Sequence, residues 1–441
     1  MYTKPTGVIT IPHVSHPRTN AFAMTSPDPS VIHSSGGSDA GKNRSPRFDA
    51  LSAAPPDAIL GLTEAFNRDA NPNKMNLTVG VYKDDDGNTP ILRCVKAAER
   101  RLVEDETTKG YLPIDGHADY RDATRRLVFG DHVPADRVAV FQSPGGTGGL
   151  RVAASFVADQ LAAGGRLTVH LPNPTWANHN SIFAAEGLPV STYRYLAADR
   201  RQLDFDAMIE DLSNVAAGDA VVLHACCHNP TGVDPTPEMW TRIAQTVART
   251  GALPILDFAY QGFGRGVEAD RAAITTMLAS CDEAIVCNSF SKNFGLYSER
   301  VGGVSFVAAS SAAADVVRTQ VKRLVRCNYS NPPRHGAAVV ATILNDAELR
   351  SMWIEELDHM RTRIDGLRNH FVDTMAEIGG PDYGFLRTQT GMFSYSGLSP
   401  MQVDRLKTEH GIYIVGSGRI NVAGMRQSHM RPLCEAIASF A

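Results

Sequence analysis

From about residue 90, the chain alternates short apolar runs with longer stretches in which apolar residues recur at helical spacing. The short runs are rich in β-branched residues and end in Gly, Asn, Asp or Ser, as strands do. They cover residues 137–141, 166–171, 220–224, 253–257, 284–287 and 303–307. Most are apolar at nearly every position, which is typical of strands buried on both faces of a parallel sheet. We therefore predict an α/β fold with a mostly parallel sheet flanked by helices.

The pattern changes beyond about residue 335. A long helical stretch spans residues 346–377, and only short strand candidates follow, at 392–395 and 412–415. We interpret residues 336–441, completed by residues 47–89, as a smaller α+β domain, and residues 90–335 as the large domain. Residues 1–46 are rich in Ser, Pro, Gly, Thr and His without periodicity, so we expect a disordered N-terminal extension.

Composition and charge narrow the classes of partner. The chain of 441 residues has a net charge of -4 and a pI near 6.4, so it offers no basic field for nucleic acid. No apolar run approaches the roughly 20 residues that cross a bilayer, and we predict no membrane partner. The seven cysteines are odd in number, which favours a reducing compartment over a disulfide framework. The segment 224–228 contains two of them without the paired spacing of zinc sites, so we predict no metal.

Polar residues stand where several predicted strands end, and ligands of open α/β sheets bind at that edge. After the first run, residues 143–150 contain glycines that would let the backbone approach an anion at a helix N-terminus. This signal is weak alone, because glycine-rich turns between a strand and a helix are common. Residues 228–232 form either a plain tight turn or a support for Asn229, whose amide could contact a ring substituent.

Two further strand ends carry ionisable groups. Asp257 and Tyr260 fit either a helix-capping Asp or an anion paired with a cationic ring nitrogen. Lys292, with hydroxyl residues before it and Arg300 eight residues later, is either a surface lysine or a desolvated amine suited to covalent catalysis. The spacing Ser289-x-x-Lys292 also matches a serine acyl-enzyme motif, although Lys-Thr-Gly and Ser-Asp-Asn are absent downstream.

The combination of these motifs resembles a known family. A glycine-rich Ser/Thr turn, Asn-Pro-Thr-Gly, Asp-x-Ala-Tyr and Ser-x-Ser-Lys-Asn-Phe-Gly-Leu-Tyr-x-Glu-Arg follow one another as in fold-type I pyridoxal-phosphate aminotransferases of the aspartate and aromatic subgroup. Longer matching segments are residues 111–116, 173–179, 257–263, 328–333 and 418–425. The resemblance covers residues 54–441. It implies a seven-stranded sheet in the large domain and pyridoxal 5'-phosphate as the cofactor.

The resemblance also implies a role for each matching residue. Lys292 would hold the cofactor covalently and, once released from it, move a proton between the substrate and the cofactor. Asp257 would keep the pyridine nitrogen protonated, supported from behind by His179. The remaining implied cofactor contacts are Gly146, Thr147, Ser289, Arg300 and the neighbouring subunit's Tyr111 at the phosphate, Asn229 and Tyr260 at the ring oxygen, and Trp176 stacked on the ring.

Two arginines, again by resemblance, decide the substrate. Arg419 would pair with the α-carboxylate, and Arg326 from the other subunit with a distal carboxylate, through the planar donor fork that suits carboxylates. The other implied substrate contacts are Gly80, Trp176 and Asn229. Two carboxylate contacts fit dicarboxylic amino acids and oxo acids. We therefore predict a homodimeric aminotransferase with shared sites that exchanges the amino group between L-aspartate and 2-oxoglutarate.

The breadth of specificity stays open at this point. The implied entrance matches the aspartate-preferring pattern at Val81, Lys83, Thr89, Thr147 and Asn331. Gly110 and Thr78 depart from that pattern, so aromatic amino acids are possible additional substrates. We expect a cytoplasmic enzyme, or a mitochondrial one if residues 1–46 act as a presequence. Two other hypotheses are a ligand-sensing regulator that keeps only the fold, which would need a DNA-binding module, and a serine acyltransferase.

Overall fold

The computed structural model describes residues 48–49, 51–53, 60–162 and 167–440. The extension expected at residues 1–46 lies outside the described residues. The α-helices are α1 (Leu60–Arg68), α2 (Arg93–Asp105), α3 (Ala118–Phe129), α4 (Gly145–Phe156), α5 (Asn178–Ala184), α6 (Phe205–Ser213), α7 (Pro237–Thr250), α8 (Ala272–Leu278), α9 (Ser311–Asn328), α10 (His335–Asn345), α11 (Ala347–Glu377), α12 (Pro400–His410) and α13 (Met430–Ala438). The strands are β1 (Met75–Asn76), β2 (Val138–Pro144), β3 (Val169–Asn173), β4 (Val190–Arg194), β5 (Ala220–His224), β6 (Leu253–Phe258), β7 (Ala284–Ser289), β8 (Val301–Val307), β9 (Phe393–Tyr395), β10 (Ile412–Tyr413) and β11 (Arg419–Asn421).

A seven-stranded sheet in the order β2-β8-β7-β6-β5-β3-β4 forms the centre of the molecule. Its pairs are parallel from β7 through β4, and β8 runs antiparallel to both of its neighbours. Both faces are buried: Val221 and Leu223 of β5 pack into one apolar cluster, and Val222 between them packs into the other. All six predicted strands belong to this sheet, and the predicted α/β fold class is confirmed.

The seventh strand, β4, was not predicted from the sequence. It lies at the edge of the sheet beside β3, and three of its five positions are exposed. An edge strand does not need apolar residues at every position, so its sequence, Val-Ser-Thr-Tyr-Arg, lacks the continuous apolar run that marks the others.

Helix ends follow their expected local chemistry. Thr236 caps α7 by accepting a hydrogen bond from the backbone N–H of Met239, and Pro237 occupies the first turn. Gly251 ends α7 in the left-handed conformation, with φ of 72°, which a residue without a Cβ adopts at little cost. The helix thus begins and ends where β5 and β6 must be connected on one face of the sheet.

The C-terminal part of the chain contains the long helix α11 and two small sheets. Asp346 caps α11 through the N–H of Leu349, at 2.9 Å, and the helix continues to Glu377 as the pattern predicted. β1 pairs in parallel with β10, and β9 pairs antiparallel with β11, so segments before and after the main sheet meet here. Among the described helices, none is both long enough and apolar enough to cross a membrane.

Candidate active site

The strand ends of the main sheet open into a cavity of about 670 Å³. Eleven of the fourteen predicted site residues line it: Gly80, Gly146, Thr147, Trp176, Asn229, Asp257, Tyr260, Ser289, Lys292, Arg300 and Arg419. The parallel strands β5, β6 and β7 end at the same edge of the sheet, and the residues after them therefore converge although they are distant in sequence.

Lys292 follows β7 and is partly buried beside Tyr260, with its Nζ 4.9 Å from the centre of the phenol ring. Burial lowers the pKa of Lys292 to about 8; the nearby Asp257 opposes this shift, and Arg300 adds to it. An amine with this pKa is neutral in a useful fraction of molecules near neutral pH, as a nucleophile or a base must be. The interpretation of Lys292 as an ordinary surface lysine does not fit its surroundings.

Asp257 lies in β6 and is held by a buried histidine rather than capping a helix. His179 is fully buried, and its Nε2 lies 3.2 Å from Oδ2 of Asp257. Burial works against ionisation of this carboxyl, but the hydrogen bond with His179 and the nearby charges outweigh burial and lower the pKa of Asp257. The cavity therefore contains a fixed anion, which suits a cationic ring nitrogen.

Two residues behind Asp257 were not assigned to the site from the sequence. The hydroxyl of Thr175 lies 2.8 Å from Nδ1 of His179 and 3.0 Å from Nε2 of His224. Burial lowers the pKa of His224 well below its usual value, so this imidazole is neutral. In the sequence, His224 is marked only by its place in the segment 224–228, and nothing there pairs it with Thr175.

Glycines at the start of α4 allow an unusually close approach of charged and hydroxyl groups. A Cβ on Gly145, which has φ of +72°, would lie 2.5 Å from Nη2 of Arg300, and one on Gly146 would lie 3.1 Å from Cβ of Ser289. Arg300 donates to the hydroxyl of Ser291 at 3.3 Å. In the described part of the chain no carboxylate pairs with Arg300. The helix N-terminus and this cation together suit an anion such as phosphate.

Arg419 is buried, with only 5% of its surface exposed, and its hydrogen bonds do not use all of its donors. Its Nη1 donates to Oδ1 of Asn229 at 3.3 Å, its Nη2 donates to the backbone carbonyl of Thr78, and its guanidinium carbon lies 4.3 Å from the centre of the Phe393 ring. Its Nε has no partner, and no carboxylate pairs with it among residues 60–162 and 167–440. A buried cation of this kind calls for an anionic ligand.

Phe393 is a second residue that the sequence did not assign to the site. It lies in β9, lines the cavity, and meets the Tyr260 ring edge-on at 6.0 Å. A Cβ on Gly80 would lie 2.7 Å from the tip of this ring, so glycine is required there for the two segments to pack. The predicted strand at 392–395 was the only sequence signal, and it carried no chemical information.

Three predicted site residues lie outside the cavity. His179 stands behind Asp257, as the resemblance implied. Tyr111 is 95% exposed. Arg326 is exposed near the end of α9 and donates to the hydroxyl of Ser330. Within one chain, neither Tyr111 nor Arg326 reaches the cavity.

Of the entrance positions, Thr147 lines the active-site cavity, whereas Val81, Lys83 and Thr89 line a neighbouring cavity of about 430 Å³. Asn331 donates to the backbone carbonyl of Leu112 at 2.8 Å, beside the exposed Tyr111. The preference for aspartate over aromatic substrates remains a prediction.

Among the described residues, one group of three side chains has ligand atoms close enough to hold a metal ion, within 4.8 Å of one another. It consists of Cys226, Cys227 and Asp270. The carboxylate of Asp270, however, already accepts three backbone hydrogen bonds, from residues 262, 264 and 265. Burial raises the pKa of both thiols, which disfavours the thiolate that a metal needs. These groups are better explained as structural.

Comparison with known proteins identifies the family. Residues 72–437 match the model of the family described as aminotransferase class I and II. The chain is 50% identical over 394 residues to an aspartate aminotransferase of Haemophilus influenzae, a match that covers 88% of this chain and 99% of that one. It is 47% identical over 397 residues to an aromatic-amino-acid aminotransferase of Pseudomonas aeruginosa, covering 89% and 98% of the two chains.

A solved structure has the same fold. The aromatic-amino-acid aminotransferase of Burkholderia pseudomallei, covalently bound to pyridoxal phosphate, superposes with a TM-score of 0.86 at 45% identity, over 90% of this chain and 99% of that one. The chain belongs to the class I and II aminotransferases, and the predicted family is confirmed.

Proposed function

We propose that the protein is an aspartate aminotransferase, which transfers the amino group reversibly between L-aspartate and 2-oxoglutarate to give oxaloacetate and L-glutamate. The observation that carries the aminotransferase reaction is the buried Arg419, which pairs with no carboxylate among the described residues and lies in the same cavity as Lys292 and Asp257. The relative in Haemophilus influenzae carries the same activity in its name. Aromatic amino acids are proposed as further substrates, because relatives named for them are nearly as similar.

The residues of the cavity fit pyridoxal 5'-phosphate. The glycines at Gly145 and Gly146, with Ser289 and Arg300 against them, form a cradle that a Cβ would fill, and we assign the phosphate to it together with Thr147. Asp257 would pair with the ring nitrogen, and Lys292 would be the covalent attachment point. Trp176, which lines the cavity and stands edge-on to His179 at 5.4 Å, is assigned to the face of the ring.

Pyridoxal 5'-phosphate, when bound, would supply an electron sink that acidifies the proton on the substrate Cα. The side chains of the protein supply the remaining steps. Arg419 holds the α-carboxylate, with Gly80, Trp176 and Asn229 beside it. The neutral amine of Lys292 removes the Cα proton and later returns one. Tyr260 stays protonated, because burial and the nearby Asp257 raise the pKa of its hydroxyl, so it would be able to donate a hydrogen bond to the ring oxygen.

We also propose that the enzyme is a homodimer whose sites are shared. Tyr111 and Arg326 do not reach the cavity of their own chain, and an aromatic side chain as exposed as Tyr111 is suited to an interface. In this proposal, Tyr111 of the partner subunit contacts the phosphate and Arg326 of the partner subunit binds the distal carboxylate.

Three further assignments are part of the proposal. We assign residues 90–335 to a large domain and residues 47–89 with 336–441 to a small one; residues of both line the cavity, such as Lys292 and Arg419. The net charge of -4 supports small-molecule partners rather than nucleic acid or a membrane surface. A cytoplasmic location is proposed from the reducing environment that the unpaired cysteines favour, and cell fractionation tests it.

Absorption spectroscopy of the purified protein tests the central assignment. The wild-type protein should show the visible absorption band of the lysine-bound cofactor and should convert aspartate and 2-oxoglutarate to oxaloacetate and glutamate. Lys292→Ala should lose both the band and the activity. The control is Lys407→Ala, at a lysine paired with Asp404 on α12, and it should retain both. A cofactor band that persists in Lys292→Ala would remove this lysine from its assigned role.

A further inference from the structure

Asp234 lies in the loop between β5 and α7, outside the residues that line the active-site cavity. Its Oδ2 accepts a hydrogen bond from the backbone N–H of Cys227 at 2.7 Å, and its Oδ1 accepts one from the N–H of His228 at 2.8 Å. These are the two residues immediately before Asn229. One carboxylate therefore fixes the backbone that presents Asn229 to the cavity.

The same carboxylate also holds a second segment. Oδ2 of Asp234 accepts a hydrogen bond from the hydroxyl of Thr390 at 2.7 Å, and the backbone N–H of Thr390 donates to the carbonyl of Gly232 at 2.8 Å. Thr390 precedes β9, the strand that carries Phe393. Asp234 thus ties the loop of Asn229 to the segment that leads to Phe393.

These two segments pack too closely to move independently. A Cβ on Gly391, which has φ of +77°, would lie 2.4 Å from Cβ of Cys227, and one on Gly232 would lie 2.5 Å from the carbonyl oxygen of Phe393. Contacts at this distance leave no space between the backbones. A shift of one segment would therefore be transmitted to the other.

Each segment carries a residue that contacts Arg419. Oδ1 of Asn229 accepts from Nη1 of Arg419 at 3.3 Å, and the ring of Phe393 lies against the same guanidinium at 4.3 Å. The amide nitrogen of Asn229 also lies 3.5 Å from the hydroxyl of Tyr260. Asp234 forms no hydrogen bond with any of these side chains, but it fixes the two backbone segments that carry Asn229 and Phe393.

We propose that Asp234 is a positioning residue, which fixes Asn229 toward the cofactor ring oxygen and, through Thr390, fixes Phe393 against Arg419. The proposal rests on the proposed function, because Asn229 and Arg419 bind cofactor and substrate only if the cavity is an aminotransferase site. Small displacements of binding groups are costly: a misplacement of about 1 Å can reduce a rate by roughly a hundredfold.

The charge of Asp234 is part of this role. An ionised carboxylate only accepts hydrogen bonds, and here three donors converge on it. Burial raises the pKa of Asp234, while the hydrogen bonds from residues 390, 228 and 227 and the positive charge of Arg265 oppose that shift. Asp270, a second carboxylate, lines the cavity of about 210 Å³ that Asp234 also lines. Among the described residues no cation forms an ion pair with Asp234, so its ionised form depends chiefly on these hydrogen bonds.

Asp234→Asn tests the proposal, since the amide keeps the shape of the side chain but turns an NH2 group toward at least one donor. In cofactor-free protein, amide hydrogen exchange of residues 226–232 and 390–393 should become about tenfold faster. In the holoenzyme, kcat/KM for aspartate should fall roughly tenfold to a hundredfold. The pH at which the cofactor absorption band changes should rise, because a displaced Asn229 stabilises the ionised ring oxygen less.

Two variants make the result decisive. Asp346→Asn changes an aspartate that also accepts a backbone N–H and a side-chain donor, Arg101, but lies at the start of α11 away from the cavity. This variant should leave amide exchange of residues 226–232 and 390–393, kcat/KM for aspartate and the pH dependence of the cofactor band at wild-type values. Thr390→Val removes only one of the three donors to Asp234, and it should shift every readout in the same direction as Asp234→Asn by a smaller amount.

Failure of this proposal differs from failure of the proposed function. A wild-type protein without a cofactor band or transaminase activity would overturn the function, and the exchange experiment would still report on the two segments. An active wild type together with an Asp234→Asn variant of unchanged exchange and unchanged cofactor titration would overturn the positioning role. If Asp234→Asn does not fold, Thr390→Val decides, and wild-type behaviour of that variant rejects the proposal.

Discussion

Arg419 and Arg326 are assigned to the two carboxylates of one substrate, but the protein holds them in opposite ways. Arg419 is buried in β11 and has its guanidinium fixed by Asn229, the Thr78 carbonyl and the Phe393 ring. Arg326 is exposed near the end of α9, with the hydroxyl of Ser330 as its hydrogen-bond partner. The cost of ordering Arg419 is met when the chain folds, whereas Arg326 has to be ordered later, by the proposed dimer contact or by substrate.

The rigid arginine is suited to the part of the substrate that is always present. Every amino acid has an α-carboxylate, so a rigid receptor for it serves all substrates. A side-chain carboxylate is present only in some of them, and an arginine that the fold of its own chain does not fix need not contribute to binding the others. We therefore expect the two arginines to differ both in the size of their contribution to kcat/KM and in the substrates that they affect.

The largest effect is expected for Arg419→Ala. Removal of one member of a buried, hydrogen-bonded charge pair costs about 2–5 kcal/mol, which corresponds to a loss in kcat/KM of roughly thirtyfold to several thousandfold. The loss should be similar for aspartate and for phenylalanine, because both present an α-carboxylate. Steady-state kinetics with the two donors measures it. A loss confined to aspartate would contradict the assignment of Arg419 to the α-carboxylate.

A smaller and selective effect is expected for Arg326→Ala. A hydrogen bond to a charged group contributes about 1.5–3 kcal/mol, so kcat/KM for aspartate should fall roughly tenfold to a hundredfold, while that for phenylalanine should change little. The matched control is Arg323→Ala. Arg323 is also an exposed arginine of helix α9, but it pairs with Asp159. The control should leave both substrates unaffected, and equal losses for both substrates in Arg326→Ala would reject the assignment.

Mixed dimers extend this prediction to the shared site. If Arg326 serves the partner's cavity, a hybrid of one Lys292→Ala chain and one Arg326→Ala chain contains one site with both defects and one intact site. Such hybrids should recover aspartate activity well above that of either variant alone. Hybrids without recovery would mean that each chain builds its site alone, contrary to the exposed position of Arg326 in the single chain.

The sequence predicted the main sheet because its strands are buried on both faces. Continuous apolar runs such as the one at β5 are required only when both faces are covered, so they identify central strands reliably. The same reasoning could not find β4, whose edge position leaves Ser191 and Thr192 exposed. The fold of the centre was therefore readable from local pattern, and the edge of the sheet was not.

The site was predictable where chemistry and backbone geometry lie in one short segment, as around Lys292 and at the glycines that begin α4. It was not predictable where partners are far apart in the chain. Phe393 belongs to the site because β9 brings the tip of its ring against Gly80. Asp234 and Thr390, which share a hydrogen bond, are 156 positions apart in the sequence. Such pairings are set by tertiary packing, and a single sequence contains no local signal for them.

Burial also predicts the mildest effect, a pH dependence that distinguishes Lys292 from an exposed lysine. Because burial lowers its pKa to about 8, the protonated form predominates below that pH and the fraction of reactive neutral amine falls about tenfold per pH unit. In cofactor-free protein, the rate of combination with pyridoxal 5'-phosphate should therefore fall by about that factor from pH 7 to pH 6 and level off above pH 8.

Stopped-flow absorption at the cofactor band measures this rate, with Nα-acetyl-lysine as the control amine. Its rate should keep rising to about pH 10.4, where exposed lysines titrate. A protein profile that follows the control would mean that Lys292 is not desolvated, and the contrast between buried and exposed cations would then be limited to the arginines.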